Sequence, residues 1–283
     1  MLKRILTAVV ALAVLLPFLI FSGKVPFLIP ILTTVLSLVA LWEIFACLGL
    51  ARDLWVTIPA YLIPVALGTA SVIVSGTEKF LVLCILALVG YLFYLFAVAV
   101  CRRGAFSFAR VCETVVMVGY ITFGFLSLTL LRHHVLGGAY LYLLVFVGAW
   151  VTDTFAYFTG MLFGKHKLIP EISPKKTVEG AIGGTVFCIG AFLLYGLIVG
   201  KLFSLPRPNY LSLALFGLVA AVVSQLGDLI ASLIKREHDI KDYGRLFPGH
   251  GGVLDRFDSI LALSPILLLL CIVTSGWLSP FSL

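Results

Sequence analysis

The sequence predicts an all-α protein that crosses a membrane about nine times and carries a polar site on one side of it. Of the 283 residues, 61% are hydrophobic and only 12% are charged, and the mean hydropathy is +1.16. A soluble domain has roughly half apolar and a quarter charged residues, so this composition excludes an ordinary soluble protein. The longest polar stretches are two loops, near 163–180 and 234–258.

Nine apolar runs are long enough to be membrane-spanning helices, because a bilayer core of about 30 Å needs about 20 apolar residues. The first run is too long for a typical signal-peptide core, and no small-x-small cleavage site follows it, which favours a retained helix. The runs lie near 5–22, 26–48, 54–75, 80–100, 113–131, 138–162, 181–199, 211–233 and 259–278.

The basic residues predict the orientation of the chain. With nine spans, one side of the membrane holds the N-terminus and both polar loops, and it receives 15 of the 20 Lys and Arg residues. The other side holds Lys24, Lys79, Arg132, Lys201 and Arg207. Because basic residues accumulate on the cytoplasmic side, we expect the N-terminus and both polar loops to face the cytoplasm.

Three acids, Glu43, Asp153 and Asp228, interrupt the apolar runs. A carboxylate in the hydrocarbon region is costly, so each acid needs a partner or a water-filled cavity. Asp228, Ser232 and Lys235 are spaced i, i+4 and i+7, so they share a helix face that leads into the second polar loop. For Glu43, helix packing, a headgroup contact and a catalytic role all stay open.

Asp228 and Asp255 are the candidate metal ligands. Asp255 and Asp258 are spaced i and i+3 at the start of the last helix, where the helix dipole favours a carboxylate. If the last two helices form an antiparallel hairpin, we expect Asp228 and Asp255 to converge on one cation, and oxygen ligands suit Mg²⁺ or Mn²⁺ rather than zinc. The alternative is ion pairing within the chain, such as Asp255 with Arg256, which would only orient the hairpin.

The second polar loop reads SLIKREHDIKDYGRLFPGHGGVLDRFD from Ser232 to Asp258. The residues of this stretch that carry the resemblance described next are Ser232, Ile234, Lys235, Arg236, Lys241, Asp242, Gly244, Phe247, Pro248, His250, Gly251, Gly252, Val253, Asp255, Arg256, Phe257 and Asp258. The stretch resembles the signature of the phosphatidate cytidylyltransferase (CDP-diacylglycerol synthase) family, because these residues fill every fixed position of that signature.

A second stretch is similar to another part of the same family. It contains Asp153, Ala156, Tyr157, Gly160, Gly164, Lys165, Ser173-Pro174-Lys175-Lys176-Thr177, Glu179-Gly180 and Gly183-Gly184. Lysines beside the start of a helix form a ready anion site. The alternatives are a polar cap with positive-inside anchoring for the lysines, and close helix packing for the glycines.

The resemblance implies transfer of a cytidylyl group from CTP to phosphatidate, which gives CDP-diacylglycerol and pyrophosphate. We expect a phosphatidate oxygen to attack the α-phosphorus of CTP in line, so that positioning and charge neutralisation dominate catalysis. The expected catalytic residues are Asp228, Lys235, Arg236, Lys241, Asp242, His250, Asp255, Arg256 and Asp258, with Asp228 and Asp255 holding Mg²⁺ or Mn²⁺. The expected substrate-binding residues are Ser232, Gly251, Gly252, Lys175, Lys176, Thr177, Asp153 and Tyr157. His250 lies between glycines and is interpreted as a phosphate contact or proton donor, with a purely structural role as the alternative.

Two other functions fit parts of the sequence. A CTP-dependent lipid kinase would release CDP instead of pyrophosphate, and an ion-coupled transporter would use intramembrane acids such as Glu43 and Asp153. The polar positions cluster on one side, and no inverted repeat is evident, which disfavours the transporter.

We divide the chain into N-terminal helices of open role, 1–135, and catalytic helices, 136–283. The expected partners are CTP, phosphatidate and the lipid bilayer, with a homodimer as an alternative to the monomer and no nucleic acid. The expected location is a bacterial inner membrane, with the endoplasmic reticulum as the alternative.

Overall fold

Eight long helices dominate the protein in a computed structural model. The structure describes residues 17–18, 25–74, 76–103, 106–203, 207–247, 249, 251–275 and 278–282. The helices are α1 (Leu28–Cys47), α2 (Leu54–Ile73), α3 (Thr77–Cys101), α4 (Phe108–His134), α5 (Gly138–Phe163), α6 (Val178–Leu202), α7 (Tyr210–Glu237) and α8 (Leu254–Val273).

All eight helices are long and apolar enough to cross a membrane. They correspond one to one to the last eight predicted spans, which confirms the predicted fold class. Nearly all of the first predicted span, near 5–22, lies outside the described residues. Several helices extend beyond the apolar run at one or both ends, because polar side chains in a terminal turn can reach the aqueous interface. The largest difference is at α8, which begins at Leu254 rather than near 259 and ends at Val273, so Asp255 and Asp258 lie within the helix.

Two short pairs of strands accompany the helices. In the first polar loop, β1 (Lys167–Ile169) pairs antiparallel with β2 (Ser173–Thr177), and β3 (Arg207–Pro208) pairs with β4 (Phe281–Ser282). Thr177 ends β2 and caps α6, since its Oγ1 accepts a hydrogen bond from the N–H of Gly180 at 3.1 Å. The hairpin therefore holds Lys175 and Lys176 directly ahead of a helix N-terminus.

The chain packs as two compact units. Unit 1 comprises Met1–Thr129 and Ile240–Arg256, and unit 2 comprises Leu130–Asp239 and Phe257–Leu283. Most of the second polar loop, Ile240–Arg256, therefore packs with the N-terminal helices, whereas the sequence-based division at 135 groups the whole loop with the C-terminal ones. The reason is that this loop contacts α1, which is distant in sequence. That residues 136–283 carry out catalysis stays a prediction, because the packing of the chain does not test it.

Unit 2 depends on the close packing of α5 against α6. A Cβ added at Gly184 would lie 2.8 Å from the carbonyl oxygen of Thr152 and 3.0 Å from the Cβ of Ala156. Both distances are shorter than a normal van der Waals contact, so only glycine permits this approach. Packing is thus at least one reason for the glycines that follow Thr177.

In unit 1 an ion pair joins the start of α2 to the end of α3. The guanidinium of Arg102 donates to both carboxylate oxygens of Asp53, with Nη2 at 2.8 Å from Oδ1. The two side chains are 31% and 20% exposed. Hydrogen bonding to Arg102 holds the pKa of Asp53 below its usual value.

We expect this ion pair to give unit 1 a pH-dependent stability. Because the pKa of Asp53 is lower in the folded protein, its contribution is complete above the unfolded pKa of about 3.9 and is lost as the pH falls through the folded pKa. Asp53→Asn should therefore cost about 1 kcal/mol at pH 7, and the difference from the wild type should vanish in strong acid. Thermal unfolding in detergent across this pH range measures it.

The matched control is Glu78→Gln, which removes an exposed acid in the first turn of α3 and should leave stability unchanged. A penalty for Asp53→Asn that is as large in strong acid as at pH 7 would contradict the assignment, since protonation of the carboxyl removes the charge that Arg102 binds.

Candidate functional site

A polar cluster in unit 2 begins with an ion pair between Lys176 and Asp228. Lys176 comes from β2 and Asp228 from α7, and Nζ lies 2.6 Å from Oδ2. The side chains are 25% and 31% exposed, so the pair is partly open to solvent. Lys176 Nζ also donates to the carbonyl oxygen of Gln225 at 3.5 Å. The pair thus joins one stretch of the family resemblance to the helix that leads into the other.

Two further carboxylates lie in this cluster. Asp258, in α8, is within electrostatic reach of Asp228, Asp153 and Lys235. Ser259 Oγ donates to Asp153 Oδ2 at 3.1 Å, so α5 and α8 are linked there. Acids and lysines from α5, β2, α7 and α8 are therefore assembled in one region of unit 2.

The hairpin is fixed at its base by Glu179. The carboxylate of Glu179 accepts the backbone N–H of Lys165 at 3.1 Å and that of His166 at 3.2 Å, and His166 Nδ1 lies 2.7 Å from Oε1. At the end of α7, Arg236 Nε donates to the carbonyl oxygen of Ile172 at 3.4 Å. The segment that contains the hairpin of Lys175 and Lys176 is therefore tied to both α6 and α7.

The second polar loop folds around Asp255 in unit 1. This residue lies in the first turn of α8 and is 8% exposed. Its Oδ2 accepts the backbone N–H of Tyr243 at 2.8 Å and that of Gly252 at 2.9 Å. The N–H of Gly252 is thus engaged by Asp255 in this structure, and its predicted contact with phosphate stays a prediction.

Glycines make the turn before α8. The N–H of Phe247 donates to the carbonyl oxygen of Gly251 at 2.9 Å, and Gly249 and Gly251 have φ of +79° and +84°. Residues with a side chain rarely adopt these angles, so the turn requires glycine.

The remaining predicted residues are distributed over both units. In unit 2, Ser232 is half-buried on α7, Lys235 and Arg236 lie in its last turn, and Tyr157 is exposed on α5. In unit 1, the side chains of Lys241, Asp242 and Arg256 are exposed. His250 lies outside the described residues.

The binding of one metal ion by Asp228 and Asp255 stays a prediction. Asp228 belongs to unit 2 and Asp255 to unit 1, and each has protein partners within its own unit. Among the described residues, no three His, Cys, Asp or Glu side chains are arranged to hold a metal ion.

Sequence reasoning missed the partner of Glu43. Its carboxylate accepts the backbone N–H groups of Val253 and Leu254, both at 2.8 Å. The only signal in the sequence was an acid within an apolar run.

The chain is similar to known enzymes along nearly its whole length. The model of the cytidylyltransferase family matches residues 2–274. The phosphatidate cytidylyltransferase of Staphylococcus epidermidis is 36% identical over 271 residues, which cover 96% of this chain and 99% of the relative. The enzymes of the same name from Staphylococcus haemolyticus and Staphylococcus aureus are 35% and 36% identical, each over 95% of this chain and 98% of the relative. With eight apolar helices among its described residues and a charged signature loop, the chain therefore belongs to the cytidylyltransferase family of membrane enzymes.

Proposed function

We propose that the protein transfers the cytidylyl group of CTP to phosphatidate and produces CDP-diacylglycerol and pyrophosphate. The observation that carries this proposal is the partly exposed Lys176–Asp228 ion pair, which joins one stretch of the family resemblance to the helix that leads into the other. The names of the relatives, which match over nearly the whole chain, support the same reaction.

The charges suit a reaction between two polyanions. A phosphatidate oxygen forms a bond to the α-phosphorus of CTP, and the bond from that phosphorus to the β-phosphate oxygen breaks, so that pyrophosphate leaves. An ionised phosphate needs little help from a general base, so the protein's task is to align the substrates and offset their repulsion. Lys175, Lys176, Lys235 and Arg236 supply positive charge in unit 2, and Lys241, Arg245 and Arg256 supply it in unit 1.

The start of α6 adds its helix-dipole charge to the anion site, while the N–H groups of Val178 and Gly180 are bound to the carbonyl oxygen of His166 and to Thr177 Oγ1. The first N–H groups of a helix lack partners within the helix and carry a partial positive charge. Thr177 Oγ1 accepts a hydrogen bond from the N–H of Gly180, and this bond fixes the end of β2 at the start of α6. Lys175 is exposed beside it, so we assign this edge of unit 2 to substrate phosphate.

A divalent cation, Mg²⁺ or Mn²⁺, is part of the proposal, and the donor chemistry fits it. Asp228 and Asp258 in unit 2 offer carboxylate oxygens within electrostatic reach of each other, and these are the ligands that such ions prefer. Asp255 in unit 1 stays the second ligand that the sequence predicts. The ion would offset phosphate charge, while the lysines and arginines orient both substrates.

An apolar groove beside the ion pair suits an acyl chain. It has a volume of about 470 Å³ and lies between α6 and α7, lined by Leu168, Ile169, Val178, Ile182, Val222 and Leu226. Gln225 also lines it, and the carbonyl oxygen of Gln225 accepts a hydrogen bond from Lys176. A lipid whose phosphate lies at Lys176 could therefore keep an acyl chain in this groove, so we assign the groove to phosphatidate.

The proposed setting is a bacterial inner membrane with both polar loops on the cytoplasmic side. The excess of Lys and Arg on that side of the predicted spans supports this orientation. It also gives the site access to CTP, which is a soluble cytoplasmic nucleotide.

Product analysis tests the reaction. Purified protein in phosphatidate-containing micelles with CTP and Mg²⁺ should release pyrophosphate and form a CDP-lipid in equal amounts. Radiolabel on the α-phosphate of CTP should appear in the lipid, and label on the γ-phosphate should appear in pyrophosphate. Release of CDP with γ-label in the lipid would instead identify a CTP-dependent lipid kinase.

Asp228→Asn should lower kcat by about 100-fold, because it removes the negative charge that pairs with Lys176 in the proposed reaction site. The matched control is Glu237→Gln, an exposed acid at the end of the same helix, which should retain kcat within about twofold. Steady-state kinetics with both substrates and gel filtration of each variant measure the effect. Wild-type turnover in a folded Asp228→Asn protein would remove Asp228 from the mechanism.

Filling the groove should weaken binding of phosphatidate without changing that of CTP. We expect Ile182→Trp to raise the KM for phosphatidate roughly tenfold, which corresponds to about 1.4 kcal/mol of binding free energy. Leu194→Trp is the matched control, since Leu194 is on the same helix and is 58% exposed compared with 61% for Ile182. An equal effect of both substitutions, or an effect on CTP alone, would contradict this assignment of the groove.

A further inference from the structure

Glu43 is a buried acid that the reaction proposed above leaves unexplained. It lies in α1, among largely apolar residues, and its exposure is 0%. Burying a carboxylate costs several kcal/mol unless hydrogen bonds or opposite charges compensate for the lost water. The structure therefore has to supply partners at this point.

The partners of Glu43 come from the second polar loop, 210 residues later in the chain. Oε1 accepts the N–H of Val253 and Oε2 accepts the N–H of Leu254, each at 2.8 Å. These N–H groups belong to the residue before α8 and to its first residue, which have no acceptor within the helix. Glu43 therefore caps α8 from a different helix.

Two glycines of the loop make room for this carboxylate. A Cβ added at Gly244 would lie 2.8 Å from the carboxyl carbon of Glu43, and one added at Gly252 would lie 2.5 Å from Oε2. Neither glycine has a positive φ, so close approach to Glu43, rather than backbone conformation, requires a residue without a side chain. Both sides of the loop are thus shaped around the same carboxyl group.

Glu43 and Asp255 together engage four backbone N–H groups of the loop. Asp255 holds those of Tyr243 and Gly252, and Glu43 holds the next two, Val253 and Leu254. The part of the loop enclosed by these bonds, from Tyr243 to Leu254, includes Arg245, and Arg256 comes just after Asp255. Fixing the enclosing backbone fixes where these two cations can reach.

We propose that Glu43 is a positioning residue, which holds the second polar loop and the start of α8 so that Asp255, Arg245 and Arg256 meet the substrates. The link to substrates rests on the proposed function, whereas the anchoring of the loop does not. Glu43 acts through hydrogen-bond geometry and not through charge alone. This explains why an acid occurs within an apolar helix that carries no other residue of the expected site.

Two substitutions of Glu43 separate geometry from charge. Glu43→Gln keeps the size but has a single acceptor oxygen, and its NH₂ would face a backbone N–H. Glu43→Asp keeps the charge but is one methylene shorter, so its oxygens stop short of the loop. We expect both variants to lower kcat/KM for CTP by about tenfold or more, the value that corresponds to one lost hydrogen bond.

Limited trypsin digestion reports the loop independently of catalysis. Arg245 is exposed within the loop, and cleavage after it should rise about fivefold in both Glu43 variants if the loop opens more often. Cleavage after Lys175, which is exposed in the hairpin of unit 2, is the internal reference. Ser37→Ala is the matched control, because Ser37 is buried on the same helix and donates a hydrogen bond to the carbonyl oxygen of Thr33. It should change neither kcat/KM nor cleavage.

A substitution on the donor side tests the same bond without altering Glu43. Leu254→Pro removes the N–H that donates to Oε2, at the first helical position, where proline is tolerated. Leu254→Ala removes most of the side chain but keeps the N–H. We expect Leu254→Pro to show faster cleavage after Arg245 than Leu254→Ala, which keeps the inference testable if the Glu43 variants fail to fold.

Wild-type cleavage after Arg245 in both Glu43→Gln and Leu254→Pro would overturn the inference. Full kcat/KM in Glu43→Asp with loss in Glu43→Gln would also overturn it, since charge alone would then suffice. If the wild-type protein forms no CDP-lipid, the proposed function fails, and the digestion still decides whether Glu43 anchors the loop.

Discussion

A charged side chain that is buried in the apolar interior of this protein needs a hydrogen-bond or ion-pair partner at the place where it is buried. Glu43 and Asp255 are almost inaccessible to water, Asp228 and Asp53 are partly exposed, and lipid offers no hydrogen bonds, so the protein itself supplies the partners. Glu43 and Asp255 are matched by backbone N–H groups, Asp228 by a lysine and Asp53 by an arginine. The positions of the polar loops follow from these pairings.

The carboxylates of this protein are matched in two different ways, and the difference bears on function. In unit 1 the carboxylates of Glu43 and Asp255 bind backbone and hold a loop in a fixed shape. In unit 2 the carboxylate of Asp228 binds a lysine side chain, which in the proposed reaction exchanges this partner for a substrate phosphate. Backbone bonds suit a scaffold, whereas a partly exposed ion pair suits a substrate site.

Close helix packing makes both arrangements feasible. At Gly184, α6 approaches the backbone of α5 so closely that no side chain would fit. At Gly244 and Gly252, the absence of a side chain makes room for a carboxylate instead. Glycines of the two family stretches therefore have different roles. Gly184 permits close helix packing in unit 2, and Gly244 and Gly252 leave room for the carboxylate of Glu43 in unit 1.

The sequence by itself determined the class of the protein, eight of its spans and the two loops that carry charge. Hydropathy is a local property, so a run of apolar residues predicts a membrane helix wherever the chain folds. The signature around Asp255 identified the family for a similar reason, since its residues are contiguous. Only the tertiary structure decided that Lys176 pairs with Asp228, that Glu43 caps α8 and that the second polar loop packs with the N-terminal helices. Those contacts join segments far apart in the chain, and their geometry depends on how the helices pack, which the spacing of residues along the sequence does not specify.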